Sequence, residues 1–161
     1  MQLFESITSL TEGGDALRRR ACGVIEVVDG RFCRVRLRPF PKIVSLPEIL
    51  LLGRWSHRQR SGDRCLLYYN QPRRHGNFLV MKYVVSTRGT QLATIHRALD
   101  VLDEIARLKG SDAILTDVSN WRISRRALAR RGYEPHSPSR WHRHYIRRFY
   151  GKYPSPRVAD W

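Results

Sequence analysis

Apolar and polar residues alternate in the first half of the chain. Three apolar side chains interleave with three arginines in Cys33-Arg34-Val35-Arg36-Leu37-Arg38, which is the period of a strand with one apolar face and one arginine face. A run of β-branched residues at 24–28 precedes it and ends at Asp29-Gly30, a dipeptide favoured in type I′ turns. The pattern predicts a β-hairpin, and further apolar runs predict strands over 65–69 and 78–85.

A helical period appears only after residue 90. Apolar residues recur there every three or four positions, and acidic residues such as Asp100 and Asp103 fall on the other side of the helix. We expect a helix from Leu92 to Gly110, with Thr90 as its N-cap and Gly110 as its stop. A strand over 113–118, a short helix over 123–131 and a last strand over 141–150 complete an α/β pattern.

Length and composition favour one globular unit. With 161 residues, of which 42% are hydrophobic, we expect a single domain over 1–161. Residues 1–77 would form N-terminal strands and loops, 78–150 a second half, and 151–161 a tail. No apolar run is long enough to span a membrane. Three cysteines without a paired spacing predict no metal site and a reducing, cytoplasmic location.

Positive charge is concentrated in two blocks. The formal net charge is +16. Residues 31–88 hold 13 cations against 2 acids, and residues 111–161 hold 11 cations against 4 acids. A surface this basic favours polyanions, either the phosphates of a cofactor or those of a nucleic acid.

The order of elements from Phe78 to Tyr150 resembles the GNAT acetyltransferase superfamily. The resemblance is carried by a long central strand, a loop, an amphipathic helix, a strand, an Asn at 120 and the ending Arg130-Arg131-Gly132-Tyr133-Glu134. It implies a mixed, mostly antiparallel central sheet flanked by helices. It also implies acetyl-coenzyme A or another acyl-coenzyme A as cofactor, and transfer of the acyl group to an amine.

The same resemblance implies a set of cofactor-binding residues. The stretch 88–93 stands where the family has a phosphate loop, and Gln91 replaces the first glycine of that loop, so its side chain could crowd a diphosphate. The strand edge at 83–85 would pair with the pantetheine arm, and Asn120 would position that arm. The implied residues are Tyr83, Val84, Val85, Arg88, Gly89, Thr90, Gln91, Ala93 and Asn120.

Catalytic residues are harder to assign. Many family members have a Tyr four residues before the Gly-aromatic pair, and Leu128 occupies that position here. His75, just before the long strand, and Asp117, in the strand after the helix, are the candidate general bases. The acceptor amine is not indicated by any motif.

An alternative function rests on the last strand. Aromatic and basic residues alternate there, which suits stacking on bases and binding of phosphates. The alternative is a non-catalytic module of the same fold that binds RNA or DNA. A competing interpretation of the same pattern is that the aromatic residues belong to the hydrophobic core and the arginines are exposed to solvent. The candidate nucleic-acid residues are Trp141, Arg143, Tyr145, Arg147 and Arg148.

Overall fold

A computed structural model describes residues 5–40, 62–118, 125–136 and 143–155. Within these ranges there are eight strands and three helices. The strands are β1 (Glu5–Ile7), β2 (Cys22–Val28), β3 (Arg31–Arg38), β4 (Arg64–Asn70), β5 (Phe78–Ser86), β6 (Ala113–Val118), β7 (Glu134–Pro135) and β8 (Arg143–Arg148). The helices are α1 (Gly14–Arg19), α2 (Leu92–Lys109) and α3 (Arg125–Arg130).

All eight strands join one sheet in the order β1-β3-β2-β4-β5-β6-β8-β7. Every neighbouring pair is antiparallel except β5 and β6. Because parallel strands need a crossover, α2 carries the chain from the end of β5 back to the start of β6. The predicted mixed, mostly antiparallel sheet is therefore confirmed, as is the order of elements from β5 to β8.

The predicted hairpin is formed by β2 and β3. Asp29 has φ 50° and Gly30 has φ 71°, so both central residues of the turn are left-handed, as a type I′ turn requires. Along β3, Val35 and Leu37 are buried, whereas the neighbouring arginines are half-buried or exposed. The sheet thus has a first face, which packs against the helices, and a second face, which carries the arginines of β3.

The main core lies between the first face of the sheet and the helices α1 and α2. Its largest fully buried side chains include Leu17, Ile25, Leu37, Leu67, Leu79, Leu102, Ile105 and Ile114. The nearly continuous apolar run of β5 is typical of a strand that is buried on both faces. The structure buries Leu79 and Met81 but leaves Val80 and Val85 half-buried, because the described helices contribute to the core on the first face.

The two ends of α2 are held by distant parts of the chain. Its N-cap is Gln91 rather than the predicted Thr90, since the Thr90 hydroxyl donates instead to the Arg64 carbonyl at 2.8 Å. Its C-terminus stops at Gly110 with φ 63°, as predicted. The Lys109 ammonium donates to the Arg20 carbonyl at 2.8 Å, and burial lowers the pKa of Lys109 to about 8.

The cysteines lie on three different strands. Cys22 and Cys65 are buried and Cys33 is exposed, and all three are free thiols. Within the described ranges, no three His, Cys, Asp or Glu side chains come close enough to hold a metal ion. None of the helices there combines the length and the apolar character that a membrane crossing requires.

Candidate functional site

The parallel strands β5 and β6 separate halfway along β5. They pair only from Phe78–Ala113 to Met81–Thr116. Beyond that point β5 stays paired with β4 as far as Ser86, and β6 stays paired with β8 as far as Val118. In the described part of the chain, residues 82–86 of β5 have no strand partner on the β6 side. We call this divergence, residues 82–86 with 117–118, the fork.

A β-bulge lies at the base of the fork. Tyr68 of β4 pairs with Tyr83, but the next residue, Tyr69, pairs with Met81, so Lys82 is one extra residue in β5. A bulge bends its strand and increases the local twist. Because the bulge directly follows the last pair between β5 and β6, it accounts for their separation.

The turn that follows β5 is fixed by the segment before β4. The Arg64 amide donates to the Thr87 hydroxyl at 3.2 Å, and the Thr87 amide donates to the Arg64 carbonyl at 3.1 Å. The Thr87 hydroxyl also donates to the Gly62 carbonyl. These bonds attach Thr87 to the segment 62–64, and the start of α2 follows at the open end of the fork.

The first backbone amides of α2 lie at the positive end of the helix dipole, and one of them is bonded to a carboxylate. An α-helix leaves its first N–H groups without partners inside the helix and carries partial positive charge there. The first turn of α2 has no acidic residue, but the Gln91 amide donates to Asp63 Oδ1 at 2.9 Å. Among the described residues, the amides of Leu92 and Ala93 have no hydrogen-bond acceptor.

The structure brings most of the predicted cofactor residues together. Tyr83, Val84 and Val85 lie in the fork, Arg88 and Gly89 lie exposed in the turn, and Thr90, Gln91 and Ala93 lie at the start of α2. The Gln91 side chain, expected to crowd the site, is exposed and makes no capping bond. A Cβ on Gly89 would lie 3.7 Å from the Gly62 carbonyl oxygen, so space alone does not demand glycine. Asn120 lies outside the described residues.

Of the candidate bases, only Asp117 lies at the fork. It is the first residue of β6 after Thr116, the last residue paired with β5. His75 lies in the turn before β5, at the opposite end of that strand. At about 3.3 Å per residue, the length of β5 separates His75 from the turn by about 26 Å. Leu128 in α3 is 2% exposed and offers no hydroxyl.

The predicted nucleic-acid residues of β8 are largely occupied by internal contacts. Tyr145 is 4% exposed and belongs to the core, so it cannot stack on a base. Arg147 Nη1 donates to Asp103 Oδ2 at 2.6 Å. Arg148 is paired with Glu134 at 3.3 Å. Arg143 begins β8, and Trp141 lies outside the described residues.

A buried group of charges joins α2 to β8 and to the end of α3. The helical pattern predicted Asp103 on the solvent side of α2, but it is 6% exposed. Burial raises the pKa of Asp103, and the charges of Arg147 and Arg131 oppose that effect without cancelling it. Arg131 also lies 2.6 Å from Asp100. The helical pattern could not reveal this, since both arginines come from later segments of the chain.

Two features of the site were not predicted. Lys82 is the one charged residue within the apolar run of β5, and only the register with β4 shows that it is the extra residue of a bulge. Asp63 follows a stretch with no recognisable pattern, and its contact with α2 spans 28 residues. Nothing in the local sequence indicates it.

Comparisons with known proteins give only distant likenesses. No family model matches the chain, and no curated protein matches it. The chain is similar to a structure from Desulfovibrio desulfuricans assigned to the GNAT acetyltransferases, with 14% identity, 51% of this chain and 58% of that chain covered, and a TM-score of 0.43. It is also similar to the structure of nourseothricin acetyltransferase, with 13% identity and a TM-score of 0.42. That similarity covers 91% of this chain and 99% of the other chain.

The ion pair between Arg147 and Asp103 should stabilise the fold. Arg147→Gln leaves a buried carboxylate without its nearest partner, so we expect a loss of about 3 kcal/mol in the free energy of unfolding. Arg148→Gln removes the same charge from an exposed pair and should cost less than about 1 kcal/mol. Urea denaturation followed by circular dichroism measures both. The loss for Arg147→Gln should shrink at acidic pH, where Asp103 is neutral, and equal losses for the two variants would contradict the assignment.

Proposed function

We propose that the chain binds an acyl-coenzyme A along the fork and transfers its acyl group to an amine. The observation that carries the proposal is the fork itself. Among the described strands, the β5 edge has no partner over 82–86, and it leads directly to a bonded turn and to the amides of Leu92 and Ala93, which have no acceptor in that part of the chain. The resemblance of residues 78–150 to the GNAT family favours this use of the fork, and the geometry makes it physically reasonable.

The open edge of β5 suits an extended ligand that contains amide groups. An unpaired strand edge offers backbone N–H and C=O groups, to which an extended chain can add as a further strand. The pantetheine arm of coenzyme A is such a chain, because it contains two amides. Tyr83, Val84 and Val85 lie along this edge and are half-buried. Asn120, two residues beyond β6, is proposed to position the same arm.

The start of α2 suits the diphosphate. Phosphate groups bind helix N-termini through free amides and the helix dipole. Here the amides of Leu92 and Ala93 would hold the diphosphate, and the exposed guanidinium of Arg88 would add a positive charge. Asp63 opposes them, because its carboxylate accepts the neighbouring amide of Gln91.

Asp117 is the group that we assign to proton transfer. When bound, an acyl-coenzyme A supplies an acyl group activated as a thioester. An attacking ammonium must first lose a proton, and Asp117 stands at the base of the fork, where the end of an arm laid along β5 would lie. Leu128 has no proton to give, so solvent has to supply the one that a leaving sulfur needs.

The nucleic-acid alternative has less support than the transferase proposal. Of its predicted residues, Tyr145 is buried, and Arg147 and Arg148 are paired with carboxylates. A surface that recognises bases needs exposed rings and free cations.

Titration calorimetry with acetyl-coenzyme A tests the cofactor site. We expect binding to the intact chain, and Arg88→Gln should raise the Kd about 5- to 10-fold by removing a charge-assisted contact with a phosphate. Arg74→Gln, an equal charge change in the turn at the far end of β5, should leave the Kd unchanged. Absence of heat at millimolar acetyl-coenzyme A would refute the proposal.

Asp63→Asn should strengthen cofactor binding. The amide oxygen of Asn can still accept the Gln91 amide, but the negative charge at the start of α2 is removed. A charge at a helix terminus contributes about 0.3–1 kcal/mol, so the Kd should fall about 2- to 5-fold. Asp15→Asn on the exposed face of α1 is the matched control and should not change the Kd. Weaker binding by Asp63→Asn would show that the carboxylate does not compete with phosphate.

Asp117→Asn should lower turnover without weakening the cofactor. With a general base removed, kcat should fall about 100-fold or more. The Kd for acetyl-coenzyme A should stay within about 2-fold of the wild-type value, a range that corresponds to about 0.4 kcal/mol. His75→Ala, at the other end of β5, should retain wild-type kcat. A reversed pattern would assign the base to His75.

A further inference from the structure

Three arginines form a row along the second face of β3, namely Arg34, Arg36 and Arg38, which we call the arginine row. In the register, Arg36 lies opposite Val24 of β2 and Ser6 of β1, and Arg38 lies opposite Cys22. Within the part of the chain that the structure describes, neither Arg36 nor Arg38 has a carboxylate partner. Arg36 Nε is buried and has no hydrogen-bond acceptor there.

Glu26 is the carboxylate that faces the row from the described strands β2 and β4, and it is already used. It lies 2.7 Å from Arg34 Nε and 2.5 Å from Arg64 Nη2. Burial raises the pKa of Glu26, but its contacts with Arg34 and Arg64 outweigh burial and hold that pKa below its ordinary value. One carboxylate shared by two guanidinium groups leaves the row with surplus positive charge.

The arginines of β8 provide a contrast within the same sheet. Arg147 is bound to Asp103 and Arg148 to Glu134. The basic block at the C-terminal end therefore supplies internal ion pairs, whereas Arg36 and Arg38 have none with the carboxylates of residues 5–40, 62–118, 125–136 and 143–155. Arginines that lack an internal partner are available to an external anion, and a planar guanidinium suits carboxylate and phosphate alike.

The register connects the arginine row to the fork. Arg36, Val24, Tyr68 and Tyr83 lie directly opposite one another on β3, β2, β4 and β5. Neighbouring strands are about 4.8 Å apart, so Arg36 and Tyr83 are separated by about 14 Å. The rings of Tyr68 and Tyr83 meet edge to face at 6.4 Å. Val24 is 4% exposed, so a ligand laid along this line would contact the half-buried Tyr83, Tyr68 and Arg36.

We propose that the arginine row binds the acidic end of the acceptor substrate, an extended peptide-like chain with a primary amine at its head. This inference rests on the proposed function, because it places the amine at the fork. In an extended chain four residues span about 14 Å, so the first acidic group would lie four residues after the amine. Arg36 and Arg38 are about 6.8 Å apart along β3, so a substrate chain that turns at Arg36 to follow β3 brings acidic groups on alternate residues to both guanidinium groups.

Peptides with one free amine test the proposal on the intact chain. The probe is Gly-Ala-Ala-Ala-Asp-Ala-Asp with a blocked C-terminus. Two further peptides differ from it only at the two Asp positions. One carries Asn at both positions, and the other carries phosphoserine at both. Affinity is measured by calorimetry without cofactor, and kcat/KM for acyl transfer is measured with acetyl-coenzyme A. The protein variants are Arg36→Gln/Arg38→Gln and, with the same charge change on the α1 side, Arg19→Gln/Arg20→Gln.

We expect the Asp peptide to bind at least 10-fold more tightly than the Asn peptide. This preference should disappear in Arg36→Gln/Arg38→Gln and persist in Arg19→Gln/Arg20→Gln, while affinity for acetyl-coenzyme A stays unchanged in both. Preference for phosphoserine over Asp would support a phosphate-bearing acceptor, and the opposite order would support a carboxylate-bearing one. If circular dichroism shows that Arg36→Gln/Arg38→Gln is unfolded, the single variant Arg38→Gln replaces it. In that variant the ratio of affinities for the Asp and Asn peptides should fall at least 2-fold.

Three results would overturn the proposal. The first is equal affinity for the Asp and Asn peptides, and the second is a preference that survives in the row variant. The third is tight binding of a single-stranded RNA oligonucleotide, lost in the row variant, with no affinity for the peptides. A failed transferase activity remains distinguishable, because the peptide preference is measured without cofactor.

Discussion

One extra residue in a strand shapes this molecule more than any other feature. Lys82 has no partner in β4, and the bulge that it forms turns the rest of β5 away from β6. The open edge, the fixed turn and the start of α2 follow from it in chain order, and residues of the 62–64 segment hold the turn in place. Without the bulge, β5 and β6 would continue to pair, and the sheet would offer no gap for a ligand.

The positive charge of the chain serves two different physical purposes. In the C-terminal block, Arg131 and Arg147 bind the carboxylates of α2 and join that helix to α3 and β8. On β3, Arg36 and Arg38 have no carboxylate partner among the residues that the structure describes. The net charge of a chain does not show which of its arginines form ion pairs within the fold and which do not. The distinction depends on where acidic residues from other segments are placed.

The sequence predicted the elements whose signals are local. The Asp29-Gly30 hairpin, the helix that begins at Leu92 and the stop at Gly110 are determined by neighbouring residues, and the structure has all of them. Signals that depend on distant residues were missed: the Thr90 hydroxyl is taken by Arg64, and Asp103 is buried by cations from later segments. The short strand β1 forms only because β3 lies beside it. For the site, the stretches 83–85 and 88–93 that the family resemblance singled out lie next to one another in the structure, while Asp63 and the bulge came only with the tertiary structure.

The fork also gives β5 two different environments along its length. From Phe78 to Met81 the strand has hydrogen-bonded neighbours on both sides, whereas from Lys82 to Ser86 it has one neighbour among the described strands. Successive amides of a strand point to opposite sides, so alternate N–H groups beyond the bulge face the gap. Amide hydrogen exchange should therefore be uniformly slow in the first half of β5 and should alternate between slow and fast in the second half.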